Sequence, residues 1–203
     1  MPRLLLVRHG ETELKSSERY WGATDVSLSA LGLEQAGRLR DRLAGEKIDV
    51  IYASDLSRTM VTAEAIASKH HLSVAGCPDL REIDFGQLEG LTFSEIDQRF
   101  PEVAGLWKKG SQKLAFPGGE TVARFNRRVS RFAGRLSRHA PDETVLVTAH
   151  NGSLRTLICR LMGLGLGRRW QFRLDLASLS IVETYSPGGI LRLLNDVSHL
   201  NGL

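Results

Sequence analysis

The stretch from Leu4 to Thr12 reads LLLVRHGET, and its apolar first half decides the fold class. An uninterrupted apolar run of this length is typical of a strand that is buried on both faces of a parallel sheet. Two similar runs and two amphipathic helical patterns follow along the chain: Val50–Ala53, Val145–Ala149, Leu31–Leu43 and Met60–Ala67. This alternation of buried strands with helices predicts an α/β sandwich with a mostly parallel sheet.

The length and composition are those of one globular domain, residues 1–203. Of the 203 residues, 42% are hydrophobic and 25% are charged, close to the averages for such domains. Disordered, collagen-like and coiled-coil proteins are therefore disfavoured. The excess of 27 Lys and Arg over 23 Asp and Glu is too small to indicate nucleic-acid binding and suits a small anionic substrate equally well.

The cysteines and the first residues bear on the compartment. Cys77 and Cys159 are too few for a disulfide framework and lack metal-ligand spacing, which favours a reducing compartment. Arg8 ends the first apolar run after a few residues, so we expect neither a signal peptide nor a membrane span. The sequence predicts a cytoplasmic protein.

Capping and turn residues place several element ends. Ser29 is suited to cap the first helix and Gly45 to stop it, while Asp55 or Ser57 can open the second. A long helix is predicted over Gly118–Arg138. The segments Ser178–Tyr185 and Ile190–Leu194 predict a hairpin.

The long helix carries a basic stripe, formed by Arg124, Arg128, Arg131, Arg135 and Arg138. Nucleic-acid binding is one interpretation of such a stripe, but no aromatic residues interleave with it. We interpret it as a solvated helix face and predict no nucleic-acid partner and no membrane partner.

Basic side chains follow each of the three buried strands. Arg8 and His9 come directly after the first, Arg58 opens the helix after the second, and His150 opens the helix after the third. Because the carboxyl ends of parallel strands meet at one edge of a sheet, we expect these side chains to lie together. Glu82 supplies a carboxylate between them. Core packing alone does not explain two histidines and two arginines at this edge.

The cluster suits phosphoryl transfer, which depends on positioning and electrostatic stabilisation. Guanidinium forks match phosphate oxygens. A neutral imidazole between two guanidiniums keeps a ring nitrogen free to attack phosphorus, while the second histidine can stay cationic against the dianion. A carboxyl group can protonate the leaving oxygen and then activate water. Gly10 lets the backbone turn sharply or approach an anion closely.

The chain resembles the histidine phosphatase superfamily, in its phosphoglycerate mutase-like branch, from Leu4 to about Leu200. The motifs that carry the resemblance are Arg8-His9-Gly10-Glu11-Thr12, Arg19 with Gly22, Leu28-Ser29-x-x-Gly32-x-x-Gln35-Ala36, Ser54-Asp55-Leu56-x-Arg58-Thr59-x-x-Thr62-Ala63, Glu82-Ile83-Asp84-Phe85-Gly86-x-x-Glu89-Gly90, Pro117-Gly118-Gly119-Glu120 and His150-x-Gly152. The resemblance implies a three-layer α/β/α sandwich. We predict no metal, because metal-dependent phosphatase chemistry needs a carboxylate cluster at the strand ends and only Glu82 and Asp84 are close in sequence, and we predict no cofactor.

The resemblance also assigns roles to residues. It implies that His9 becomes phosphohistidine, that Arg8, Arg58 and His150 form the phosphate pocket, and that Glu82 donates the proton. Thr12, Lys15, Arg19, Gly22 and Asn151 are the further candidates for phosphate or substrate binding. Lys15 stands where many members have Asn, and Asn151 stands where they have a second Gly but retains the backbone N–H.

A cap insertion is predicted near Thr92–Phe116, and its length indicates which branch of the family, and so which kind of substrate, to expect. Phosphoglycerate mutases of this family carry a longer insertion, so the short segment favours a phosphatase, and the compact chain looks most like alpha-ribazole phosphatases and broad-specificity phosphatases. The alternatives are a cofactor-dependent phosphoglycerate mutase and a non-catalytic phospholigand-binding protein. A small phosphorylated metabolite, with alpha-ribazole 5′-phosphate as a candidate, is the expected partner, and a homodimer is the candidate assembly.

Overall fold

The computed structural model describes residues 2–14, 19–186 and 188–203. Within them the chain forms one six-stranded sheet with the strand order β3-β2-β4-β1-β5-β6. The strands are β1 (Arg3–Arg8), β2 (Val50–Ala53), β3 (Val74–Gly76), β4 (Thr144–Ala149), β5 (Leu179–Thr184) and β6 (Gly189–Asp196). The helices are α1 (Ala30–Leu43), α2 (Ser57–Ala67), α3 (Phe93–Arg99), α4 (Pro101–Lys108), α5 (Val122–Leu136) and α6 (Asn151–Leu161).

The four strands β3, β2, β4 and β1 run parallel, and β5 and β6 are antiparallel additions at one edge. The register pairs Arg8 at the end of β1 with Ala149 at the end of β4. His9 and His150 therefore leave adjacent strands side by side. The predicted mostly parallel sheet and the predicted hairpin, β5 with β6, are both confirmed.

Alternate side chains of the central strands enter two separate cores. Leu4 and Leu6 pack with α5 and α6, whereas Leu5 and Val7 pack with α1 and α2 on the opposite face. Every residue of β4 is buried. This two-sided burial explains why the strands read as continuous apolar runs, and it gives the three layers that the family resemblance implies.

The predicted start of the long helix is wrong, and turn chemistry explains the difference. The long helix begins at Val122 and not at Gly118, because Thr121 caps it and Gly118, with φ 71°, belongs to a tight turn. The first helix is capped by Ser29 and ends at Leu43, shortly before Gly45, as predicted, although Gly45 does not adopt the left-handed conformation of a helix-stopping glycine.

The second helix begins at Ser57, but no side chain beside it in sequence caps it. The carboxylate of Asp25 accepts two hydrogen bonds from Ser57, one from the backbone N–H at an N···O distance of 2.8 Å and one from the side-chain hydroxyl at an O···O distance of 2.6 Å. A residue distant in sequence thus supplies the cap that was predicted from Asp55 or Ser57. Local capping rules do not find such a partner.

The predicted insertion, Thr92–Phe116, holds α3 and α4. Thr92 and Glu95 form a capping box at the start of α3. Trp107 of α4 turns inward, stacks on Phe85 at a centroid distance of 5.5 Å, and meets Tyr20 at 4.8 Å. The insertion therefore contributes an aromatic wall above the carboxyl edge of the sheet.

Among the described helices, none is both long and apolar enough to cross a membrane. Cys77 and Cys159 are both free and buried.

Candidate active site

Side chains from four segments meet at the carboxyl edge of the sheet, as the sequence predicts. His9, Arg58, Glu82 and His150 are all less than 10% exposed, although each is polar or charged. They border a cavity of about 50 Å³, here called the inner cavity. It is lined by Arg8, His9, Thr12, Trp21, Val26, Arg58, Glu82, His150 and Asn151.

The hydrogen bonding of His9 defines its tautomer. Its Nδ1 lies 2.7 Å from the carbonyl oxygen of Gly10. A carbonyl oxygen can only accept, so Nδ1 carries the proton and Nε2 keeps its lone pair. Burial, reinforced by the charges of Arg8 and Arg58, holds the pKa of His9 well below its usual value. The ring is therefore a neutral nucleophile.

Gly10 has a packing role that differs from the predicted one. It is not among the described glycines with positive φ, and a side chain there would come within 2.6 Å of the Gly32 carbonyl oxygen at the start of α1. The close approach is thus to another backbone segment. It seats the loop after β1, and with it His9, against α1.

Arg58 is held by three hydrogen bonds. Its Nη2 donates to the Gly22 carbonyl at 2.8 Å, its Nη1 to the Thr24 carbonyl at 2.9 Å, and its Nε to Nδ1 of His150 at 3.3 Å. Gly22 is needed because a Cβ would lie 1.9 Å from the Ile83 carbonyl oxygen. Gly22 lies under Arg58 and not in the cavity lining, so it positions the guanidinium.

Arg8 carries the second guanidinium of the inner cavity. Its Nη1 donates to the Leu174 carbonyl at 2.6 Å, while its buried Nε has no partner among the described residues. Burial lowers the pKa of Arg8 to about 10, with Glu82 opposing the shift. The side chain thus stays charged at neutral pH and keeps donors for a bound anion.

His150 is also neutral in the field of these side chains. Its Nδ1 accepts from Arg58, so in the neutral ring Nε2 bears the proton and donates to Ser54 Oγ at 2.9 Å. Burial, followed by the charges of Arg58, His9 and Arg8, holds its pKa well below the usual value. The cationic state predicted for His150 therefore requires the negative charge of a bound phosphate.

Glu82 is the acidic residue in the lining of the inner cavity. Its Oε2 accepts the Gly152 N–H at 2.8 Å, and its Oε1 accepts the Ile83 N–H at 2.9 Å. A side chain at Gly152 would lie 2.3 Å from Oε1, so glycine there is required for the contact. The carboxylate is fixed by backbone donors and borders the inner cavity.

The other predicted site residues divide between two places. Thr12 and Asn151 line the inner cavity, and Oδ1 of Asn151 has no described partner. Arg19 instead donates to the Gly90 carbonyl and to Glu95, and it lines a second cavity and not the inner one. Lys15 lies outside the described residues.

The second cavity, here called the outer cavity, measures about 310 Å³ and shares Arg8, Trp21, Glu82 and Asn151 with the inner one. Its remaining lining is mostly aromatic or basic: Arg19, Tyr20, Ile83, Phe85, Trp107, Leu114, Phe116, Val122, Phe125, Gly152, Arg155, Arg169 and Trp170. Sequence reasoning missed nearly all of these. Only Arg155, one turn after Asn151 on α6, has a local signal, its i,i+4 spacing from a predicted site residue.

Sequence reasoning also missed Ser54, the hydrogen-bond partner of His150. Ser54 is fully buried and directly follows β2, where its N–H donates to the Thr148 carbonyl at 2.9 Å. A serine at the end of a buried strand is the signal that could have found it.

This arrangement of a neutral histidine, paired guanidiniums and a carboxylate belongs to a known class of protein. The chain belongs to the histidine phosphatase superfamily (branch 1), whose family model matches residues 4–197. The predicted family, the fold and the class of enzyme, a phosphatase, are confirmed.

Its relatives include phosphatases of different substrates. Phosphoserine phosphatase 1 of Hydrogenobacter thermophilus is 36% identical over 98% of this chain and 95% of its own length. The adenosylcobalamin/alpha-ribazole phosphatase of Escherichia coli is 35% identical over 96% of each chain. The crystal structure of the alpha-ribazole phosphatase from Shigella flexneri superposes with a TM-score of 0.87, at 34% identity and 96% coverage of both chains.

Proposed function

We propose that the protein hydrolyses phosphomonoesters through a phosphohistidine intermediate at His9. The observation that carries the proposal is the Nδ1-protonated, neutral imidazole, with Nε2 free beside two guanidiniums. Lining the inner cavity, Arg8 and Arg58 supply positive charge where the equatorial phosphoryl oxygens gain negative charge.

The first half-reaction transfers the phosphoryl group to the enzyme. Nε2 of His9 attacks phosphorus, the P–O ester bond breaks, and Glu82 gives its proton to the departing oxygen. In the second half-reaction Glu82 takes a proton from water, whose oxygen attacks phosphorus as the P–N bond breaks. Phosphate leaves and neutral His9 is restored.

The fixed backbone contacts of Glu82 support its role as the acid and base. Gly152 and Ile83 hold both of its oxygens where the inner and outer cavities meet, which is where a leaving oxygen would lie. His150 borders the same cavity, and it can donate to the phosphoryl group only if its Nε2–H leaves Ser54 Oγ when that group binds. Thr12 and Asn151 are candidates for its remaining oxygens.

We propose a small phosphorylated metabolite as the substrate and a metal-independent reaction, since the two arginines supply the charge that a metal would bring. Among the relatives' substrates, alpha-ribazole 5′-phosphate and phosphoserine are the first to test.

The free thiols of Cys77 and Cys159 support a cytoplasmic location. We also propose a single domain, 1–203, with a cap near Thr92–Phe116; a homodimer and the lack of a nucleic-acid partner stay predictions.

The second candidate function is cofactor-dependent phosphoglycerate mutase. The short cap, with two helices in its described residues, argues against it, because a mutase must retain and enclose its phosphoenzyme. Formation of a phosphoglycerate isomer only with 2,3-bisphosphoglycerate present would identify a mutase. A phospholigand-binding protein without catalysis would turn over no ester at all.

The test of the proposal is phosphoryl labelling of the protein. We expect rapid quenching during turnover of a radiolabelled phosphomonoester to trap an acid-labile, base-stable label on the wild type, and we expect His9→Ala to carry no label and to have no turnover. His71→Asn, at an exposed histidine, is the matched control. Labelling of His9→Ala at the wild-type level would reject His9 as the nucleophile.

A further inference from the structure

Two arginines in the lining of the outer cavity have no role in the reaction proposed above. Arg155 lies on α6, and Arg169 lies in the 3-10 turn Leu166–Gln171. Arg169 is only 7% exposed. Among the residues that the structure describes, neither forms an ion pair with a carboxylate. A buried guanidinium without such a partner is unusual enough to require an explanation.

Arg128, another largely buried arginine, shows the usual solution. It forms an ion pair with Glu120 at 2.9 Å and donates to the carbonyls of Asp79, Arg81 and Glu82. Its charge is therefore neutralised and its donors are used within the protein. Such an arginine serves packing and needs no ligand.

Arg155 and Arg169 keep most of their donors free. Nε of Arg155 is buried with no described partner, and Arg169 makes a single long hydrogen bond, from Nη1 to the Leu166 carbonyl at 3.4 Å. Both guanidiniums lie near the ring of Trp170, at 6.0 and 5.1 Å from its centroid. The ring is a common neighbour of the two groups in the lining of the outer cavity, and it does not satisfy their donors.

The apolar part of the outer cavity's lining determines the shape of the ligand that it can bind. Tyr20, Phe85, Trp107, Phe116 and Phe125 form apolar walls. Pockets of this kind bind an apolar body and orient it by a few polar groups. Arg8, Glu82 and Asn151 are shared with the inner cavity, and Arg19 pairs with Glu95. The charged groups that remain for such a ligand are the guanidiniums of Arg155 and Arg169.

We propose that Arg155 and Arg169 form a subsite for a carboxylate on the leaving group. The substrate is then a phosphomonoester whose alcohol part has an apolar body and carries a carboxylate. Glu82 lies in the same lining, so a singly charged carboxylate is repelled less than a second phosphate dianion would be. The proposal rests on the proposed function, because the phosphate of the same molecule must occupy the inner cavity.

A matched pair of esters tests the subsite. One is 4-(2-carboxyethyl)phenyl phosphate, and the other is the same phosphate ester with a carboxamide in place of the carboxylate. The two-carbon spacer keeps the acidity of the phenol the same in both, so any difference reports binding of the carboxylate. We expect the wild type to prefer the acid about 10- to 100-fold in kcat/KM, the range that a charged hydrogen-bonded pair contributes. Arg155→Gln and Arg169→Gln should each lower the acid-to-amide ratio toward one.

Hydrolysis of the amide is the internal measure that each variant is folded and active. Arg168→Gln, at the exposed neighbour of Arg169 in the same turn, should keep the wild-type ratio. Equal kcat/KM for acid and amide in the wild type, or ratios that neither variant at Arg155 or Arg169 changes, would overturn the subsite alone. Absence of hydrolysis of both esters would instead overturn the proposed function, and the subsite with it.

Discussion

The inner and outer cavities lie side by side, yet the chain builds them in different ways. The inner cavity takes its main groups from the ends of adjacent strands, and backbone atoms hold them: the Gly10 carbonyl orients His9, and the Gly152 N–H orients Glu82. The outer cavity takes its walls from side chains of the cap, α5 and the turn after α6. Backbone contacts thus fix the groups proposed to act on phosphate, whereas packed side chains shape the space proposed for the leaving group.

The largest effect expected from a variant that keeps the nucleophile is at Glu82. Glu82→Gln should slow phosphoenzyme formation from alkyl phosphates by roughly 10²- to 10⁴-fold, because a poor leaving alkoxide needs a proton. The loss should be smaller with p-nitrophenyl phosphate, whose leaving group needs little protonation. Single-turnover phosphorylation measures the step without the later hydrolysis.

The matched control for this experiment is Asp84→Asn. The carboxylate of Asp84 accepts the Gly86 N–H at 2.9 Å and faces an outside cleft, so the variant should keep the wild-type dependence on leaving group. Equal losses for the two esters in Glu82→Gln would reduce Glu82 to a positioning role. A leaving-group dependence at Asp84 would move the acid there.

A similar loss, independent of substrate, is expected at Arg58. Arg58→Ala removes a fixed cation from the transition state, so kcat/KM should fall about 10²- to 10³-fold for every ester. Arg58→Lys should restore little, because an ammonium cannot reach the Gly22 and Thr24 carbonyls and His150 together. Steady-state assays on several esters measure both, with Arg127→Ala, at an exposed arginine, as the control. Near-normal turnover in Arg58→Ala would remove it from the site.

A smaller and substrate-dependent effect is expected in the outer cavity. Trp107→Leu removes the stacking on Phe85 and should raise KM roughly 2- to 10-fold for aromatic esters, since an aromatic pair contributes about 0.5–1.5 kcal/mol beyond burial. Small alkyl esters should change less. Leu106→Ala, at a more exposed position of α4, is the control. A uniform fall in kcat for all esters would contradict the division between the cavities.

The smallest expected effect is on how the free energy of unfolding changes with pH. His9 and His150 have lowered pKa values in the folded protein, so below about pH 6.5 the unfolded chain binds more protons and the free energy of unfolding falls as pH falls. Between pH 6.5 and 5, His150→Gln should show a shallower fall than the wild type in denaturant titrations. His71→Asn, at an exposed histidine, is the control variant. An unchanged slope in His150→Gln would mean that folding does not lower the pKa of His150.

Local patterns were enough to predict much of the inner cavity. One apolar strand ends at Arg8-His9, and another ends just before His150. Because parallel strands present their carboxyl ends at one edge, these side chains are expected to lie together. The neutral state of His9 also follows from its basic neighbours. The state of His150 does not, because it depends on Arg58 donating to Nδ1 and on the depth of burial.

Element ends and glycine roles were predicted less well. The start of α5 was wrong because Gly118 lies in a turn that packs on the loop around Gly86, and the cap of α2 was missed because Asp25 lies far away in sequence. Gly10 shows the same limit, since its neighbour is Gly32 of α1. Each case depends on a contact between segments that no local pattern records.

The α/β class, the edge of the sheet that carries the candidate site and the residues proposed to act on phosphate could all be inferred from the chain alone. These follow from strand periodicity and from chemistry within a few residues of each strand end. The outer cavity could not be inferred in this way, because its lining combines Tyr20, Trp107, Arg155 and the turn that holds Arg169 and Trp170, which come from four separate segments. Packing and desolvation depend on which side chains meet in space, whereas strand formation and strand-end chemistry depend on neighbours along the chain.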